Sequence, residues 1–167
     1  MVRRADPEAG PAGMALHALL GVMGSLRQVM DPYFSRFGVS GPQWAILRVL
    51  QRAAAAGEPP LPHKEIGRRL LIQPPSVTAI IDRLERHGWV RRGNAAKDLR
   101  VRPVTLTTAG RQLVRRVEHG HRAHLDRVFA GLDAGELVRL RDLLEKLDSH
   151  LAVHAPQNRK PARQGRV

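Results

Sequence analysis

The chain has 167 residues and a formal charge of +13, from 28 Lys and Arg against 15 Asp and Glu. That is more positive charge than solubility requires, and nucleic acid is the partner it implies. The absence of cysteine excludes disulfides, thiolate metal sites and thiol redox sensing. The length suits one domain with its own core, or a compact reading head plus helices that pack on something else.

Residues 1–13 read as a disordered N-terminal tail. The apolar run Met14 to Gly24 follows Arg3 and Arg4 in the manner of a signal peptide. It contains His17, lacks a small-x-small cleavage site and continues as helix, and it is too short to span a membrane. A soluble, cytoplasmic protein with no membrane partner is expected. Leu16, Leu19, Met23, Leu26, Met30, Tyr33 and Phe37 step by three and four, which predicts a helix with one continuous apolar face over residues 14–38. Ser40 followed by Gln43 forms a capping-box pattern that opens the next helix, Gly41 to about Ala55, with Trp44, Leu47 and Leu50 inward. Residues 53–60 then read as helix end and loop.

The stretch from Leu61 to Thr107 is the most informative. His63 to Leu70 is a short helical pattern, Leu71-Ile72-Gln73 a tight connection, and Pro74-Pro75-Ser76 opens a second helix running to about His87. Proline suits a first helical turn, where its missing N–H costs nothing. Gly88 closes that helix. Trp89 to Arg91 and Val101 to Leu106 are strand candidates around a polar tip, Gly93 to Arg100. Helix, turn, helix and hairpin over residues 39–107 make a winged helix-turn-helix. Residues 61–107 hold ten basic and four acidic side chains, nearly half of the chain's excess.

Thr107 or Thr108 can cap a long helix to about Ala130, with Val114, Val117, His121, Leu125 and Val128 on one stripe. Leu137, Leu140, Leu144, Leu147 and Leu151 repeat at three and four over a last helix. The small head offers too little surface to cover the terminal stripes, so residues 14–38 and 108–154 read as dimerisation helices. The competing arrangement is a monomer in which they pack on each other. Residues 155–167, rich in Pro, Gln, Arg and Gly, read as a basic disordered tail. The fold class is therefore mostly α with a small β wing.

On DNA, residues near the start of the second helix face base edges, which makes Pro75, Ser76, Thr78 and Ala79 the candidates. Pro75 and Ala79 offer apolar contact only. Ser76 and Thr78 can bond bases or phosphates, or cap and support the helix. Arg83 and Arg86 suit phosphate contacts or ion pairs with nearby carboxylates. At the wing, Arg100 suits a narrow minor groove, and Arg92, Lys97 and Arg102 suit phosphates. Asp98 cannot attract DNA and would fix the shape of the tip.

These residues resemble the multiple-antibiotic-resistance regulator (MarR) family of bacterial winged-helix transcription factors. Ser76 to Arg92 is similar to its recognition helix and first wing strand, Asp98-Leu99-Arg100 to its D-x-R wing motif, and Leu106-Thr107-Thr108-Ala109-Gly110 to its L-T-x-x-G. The resemblance runs from about residue 14 to 152. It implies a homodimer bound to double-stranded DNA at an inverted-repeat operator, usually a repressor, often released by a small organic ligand such as an aromatic acid. His17, Tyr33, Trp44, Arg48 and His121 are the candidate pocket residues. Two departures stand out: Gln73 replaces the family's serine cap, and Pro103 takes the place of an ordinary apolar strand residue, so the wing should be shorter or bulged there, with the hairpin surviving if Pro103 lies on its free edge.

No phosphate-loop, dinucleotide-loop or zinc-protease motif is present, so an enzyme is not expected, nor any cofactor. Of the histidines, only His121 with His124 and His150 with His154 can converge, too few for a metal site. The alternative function is a sequence-neutral architectural DNA binder, for which charge alone would suffice.

Overall fold

The computed structural model describes residues 10–93 and 103–154. In chain order these form α1 (Pro11–Ser35), α2 (Gly41–Ala55), β1 (Leu61–Pro62), α3 (His63–Leu70), α4 (Pro74–Arg86), β2 (Val90–Arg92), β3 (Pro103–Leu106), α5 (Thr108–Val128) and α6 (Ala134–His154). The chain divides into two compact units, Met1–His124 and Leu125–Val167.

In the first unit, α1 starts earlier than its apolar pattern suggests. Pro11 sits in its first turn, so residues 11–13 are helix rather than tail. It ends at Ser35, because the N–H groups of Phe37, Gly38 and Val39 turn back onto the carbonyls of Phe34 and Ser35. Only Tyr33 and Phe34 of this helix are buried, with Met30 packed against the core at its edge. Phe37, beyond the helix end, also packs against the core, Leu19 and Leu26 are half-buried, and Leu16 and Met23 are 53% and 57% exposed.

The capping box of α2 forms as its sequence predicts. The Gln43 N–H donates to Ser40 Oγ at 3.4 Å, and the Ser40 N–H donates to Gln43 Oε1 at 2.8 Å. Trp44, Ile46, Leu47 and Leu50 are buried, and they meet Ile66 of α3, Val77, Ile81 and Leu84 of α4, Val90, Val104 and Leu106 of the sheet, and Leu113, Val114 and Val117 of α5 in one core. Between α3 and α4, Leu71 takes a left-handed conformation at φ 52°, while the Ile72 N–H bonds back to the Gly67 carbonyl.

The sheet has three antiparallel strands in the order β1-β3-β2. The strand β1 carries no signal of its own, being two residues long, and it exists because Leu61 and Pro62 pair with Val104 and Pro103. Pro103 therefore opens the middle strand rather than lying on a free edge. As the first residue of its strand it is tolerated without an N–H, and its carbonyl accepts from the Gly93 N–H at 2.7 Å.

The junction between sheet and α5 explains why leucine, threonine and glycine stand where they do. Leu106 is buried. Thr107 caps the helix: its Oγ1 accepts from the Gly110 N–H at 3.0 Å and donates to the Gly88 carbonyl at 2.6 Å. Gly110 lies under the Trp89 carbonyl, and a Cβ there would stand 2.0 Å from that oxygen. Gly88, at φ 69°, makes the turn that brings the carbonyl into place.

In the second unit, the end of α5 is followed by α6. A capping box unnoticed in the sequence starts α6, with Asp133 and Glu136 exchanging backbone-to-carboxylate bonds at 2.8 and 2.9 Å. Leu125, Phe129, Leu137, Leu140 and Leu144 line an open groove of about 510 Å³. Leu144, Leu147 and Leu151 of the expected seam are 43%, 42% and 55% exposed.

Candidate nucleic-acid interface

The recognition element is α4, and its two faces divide as the helical period requires. Val77, Ile81 and Leu84 are buried, while Pro75, Ser76, Thr78 and Ala79 all reach solvent at its N-terminal end. Gln73 is the N-cap but makes no side-chain capping bond, and prolines occupy the first turn. The hydroxyl of Thr78 donates to the Pro74 carbonyl at 3.2 Å, which ties it to its own helix while leaving its lone pairs outward. Arg83 and Arg86 are exposed and form no ion pair among the described residues.

Arg92, a phosphate candidate by charge, is held in ion pairs within the head. Strand alternation puts it on the side of buried Val90, facing α4, where its guanidinium pairs with both Asp82 and Glu85. Its backbone N–H donates to Glu85 Oε1 at 2.9 Å, and its Nε approaches His63 Nε2 at 3.4 Å. Its side chain is 17% exposed. Asp82 and Glu85 are partners of Arg92 that sequence reasoning missed. Their spacing of three on one helix face, and an arginine two positions beyond a buried strand valine, were the available signal. Lys97, Asp98, Arg100 and Arg102 lie outside the described residues.

Four of the five candidate pocket residues meet. The rings of Trp44 and His121 lie 5.7 Å apart, those of Tyr33 and His121 5.6 Å, and the Arg48 guanidinium stands 5.9 Å over Trp44. His124 joins them, stacked on Tyr33 at 4.4 Å. The Tyr33 hydroxyl donates to the Val117 carbonyl at 2.6 Å. Burial raises the Tyr33 pKa and lowers that of His121, and the charges of Arg48 and His124 lower His121 further against the pull of Glu118. His121 Nδ1 and His124 Nε2 are buried with no hydrogen-bond partner among the described residues. His17 is exposed on α1, and sixteen residues of helix put it about 24 Å from Tyr33, away from this cluster. No three potential metal ligands come together among the described residues.

An anchored recognition helix with an exposed, uncharged tip, backed by a β-hairpin, defines a winged-helix DNA-binding protein. A MarR family model matches residues 37–100. The HTH-type transcriptional repressor Rv2887 of Mycobacterium tuberculosis is 32% identical over 139 residues, covering 83% of this chain and 94% of its own. The HTH-type transcriptional regulator PecS of Dickeya dadantii is 30% identical, covering 78% and 81%. Among solved structures, Rv2887 in complex with DNA superposes with a TM-score of 0.59 at 31% identity, covering 83% of this chain and 98% of its own. The Staphylococcus aureus MepR–DNA complex superposes at 0.71 with 23% identity, over 81% and 96%, a likeness of fold. The chain belongs to the MarR family of winged-helix transcriptional regulators. No described helix is long and apolar enough to cross a membrane.

Proposed function

We propose that this protein is a cytoplasmic, non-enzymatic repressor that binds an inverted-repeat operator as a homodimer. The observation that carries the DNA reading is the outward row Pro75, Ser76, Thr78 and Ala79 on a helix whose opposite face is fixed in the core. Arg83 and Arg86 supply phosphate contacts, and Lys97, Arg100 and Arg102 extend them along the wing, with Asp98 shaping its tip. The dimer reading rests on uncovered apolar side chains: Met14, Leu16, Leu20 and Met23 of α1, and Leu143, Leu144, Leu147 and Leu151 of α6. Scattered exposed leucines need no explanation, but two helices patterned at three and four do. A second copy covers them and sets paired recognition helices about one DNA turn apart. A small organic acid, held at Tyr33, Trp44, Arg48 and His121, supplies the release signal.

The test is selection from a randomised duplex pool at physiological salt, followed by sequencing. An enriched inverted repeat, lost on Thr78→Ala, is the expected result. Retention without enrichment replaces this reading with the architectural one.

A further inference from the structure

We propose that Arg92 is a positioning residue for DNA recognition: it clasps the root of the wing to the recognition helix and adds to affinity without touching phosphate. The inference rests on the DNA-binding reading but concerns residues that reading leaves unused.

Three elements converge on this guanidinium. Asp82 and Glu85 stand one turn apart on α4, Arg92 ends β2, and His63 opens α3. The planar fork spends Nη1 on Glu85, Nη2 on Asp82 and Nε on His63, while Glu85 also holds the Arg92 backbone N–H at 2.9 Å. Two carboxylates thus take up the arginine's charge, and the arginine in turn offsets half of the acidic charge that would repel DNA from the recognition helix. The base-facing residues lie at the other end of the same helix, and β2 leads through Gly93 into residues 94–102. Fixing β2 to the last turns of α4 therefore fixes the angle between the two parts that must enter neighbouring grooves together. Since none of these side chains belongs to the apolar core, breaking the contacts changes the angle before it changes the fold.

Salt dependence separates this role from a direct contact. Affinity is measured against salt concentration for the enriched duplex and for a random duplex of equal length. Arg92→Gln should weaken the enriched duplex about tenfold, within the range for coupled neighbours, and leave the slope of log affinity against log salt unchanged. A direct phosphate contact would instead reduce that slope by about 0.9 for each copy lost. Asp82→Asn with Glu85→Gln keeps the arginine and frees it, so the slope should steepen while discrimination between the two duplexes shrinks. This pair carries the test if Arg92→Gln fails to fold. Amide hydrogen exchange at Val90–Arg92 and Val104–Leu106 reads the clasp without DNA, and both variants should exchange faster there. A shallower slope for Arg92→Gln, unchanged discrimination for the double variant, or unchanged exchange in both overturns the proposal. If the wild type enriches no duplex, the operator reading fails, and the exchange result still decides whether the clasp exists.

Discussion

Gly110→Ala is the sharpest test of how the wing is joined to the long helix. The new Cβ would lie 2.0 Å from the Trp89 carbonyl oxygen, 2.9 Å from its carbon and 3.3 Å from Leu106 Cδ2. The first two neighbours are backbone, so neither can rotate away, and the helix start or the strand must move by more than an ångström. Overpacking of this kind costs about 1–3 kcal/mol, with backbone clashes at the upper end. The shift also breaks the 3.0 Å bond from the Thr107 N–H to the Trp89 carbonyl, a loss of about 1 kcal/mol. Alanine returns at most about 1 kcal/mol through its better helix propensity. The net is a destabilisation of about 3 kcal/mol. For a protein of this size that lowers Tm by about 6–12 °C. Thermal unfolding followed by circular dichroism measures it, and a Tm equal to or above wild type would refute the close approach.

Three further outcomes follow from other sites. Ser40→Ala removes one half of the α2 capping box and should cost about 1 kcal/mol in urea unfolding, against no change if the cap is redundant. His121 and His63 both have lowered pKa values, burial being the main cause in each, so the folded state favours neutral imidazoles. Their contribution is complete above the ordinary value of 6.5 and declines as pH falls through it, because the unfolded chain takes up the protons more readily. His121→Gln should flatten the fall of Tm between about pH 8 and pH 5, leaving the His63 part, and an unaltered curve would show that His121 is not its source. Leu144→Glu with Leu147→Glu places two charges on the exposed face of α6 and should turn a dimer into a monomer in sedimentation. A dimeric double variant moves the interface elsewhere.

Much of this protein is written locally. The starts of α2, α4 and α5 follow from Ser40 with Gln43, from Pro74 and Pro75, and from Thr107, because a helix cap involves residues three apart. The exposed row Pro75, Ser76, Thr78 and Ala79 follows from the 3.6-residue period of α4. The family, too, is legible in the run from Ser76 to Arg92. What the sequence could not decide are pairings across distance. The strand β1 exists only because β3 lies beside it, and that pairing places Pro103 in the middle of the sheet. Tyr33, Trp44, Arg48 and His121 share a cluster while His17 does not, since helix length sets how far apart positions on one stripe can lie. Arg92 looked like a phosphate contact by charge alone, and only the packing of β2 on α4 revealed that its charge is already spent on Asp82 and Glu85. Caps and periods act through neighbours within a turn, whereas ladders and ion pairs depend on which distant segments the core brings together.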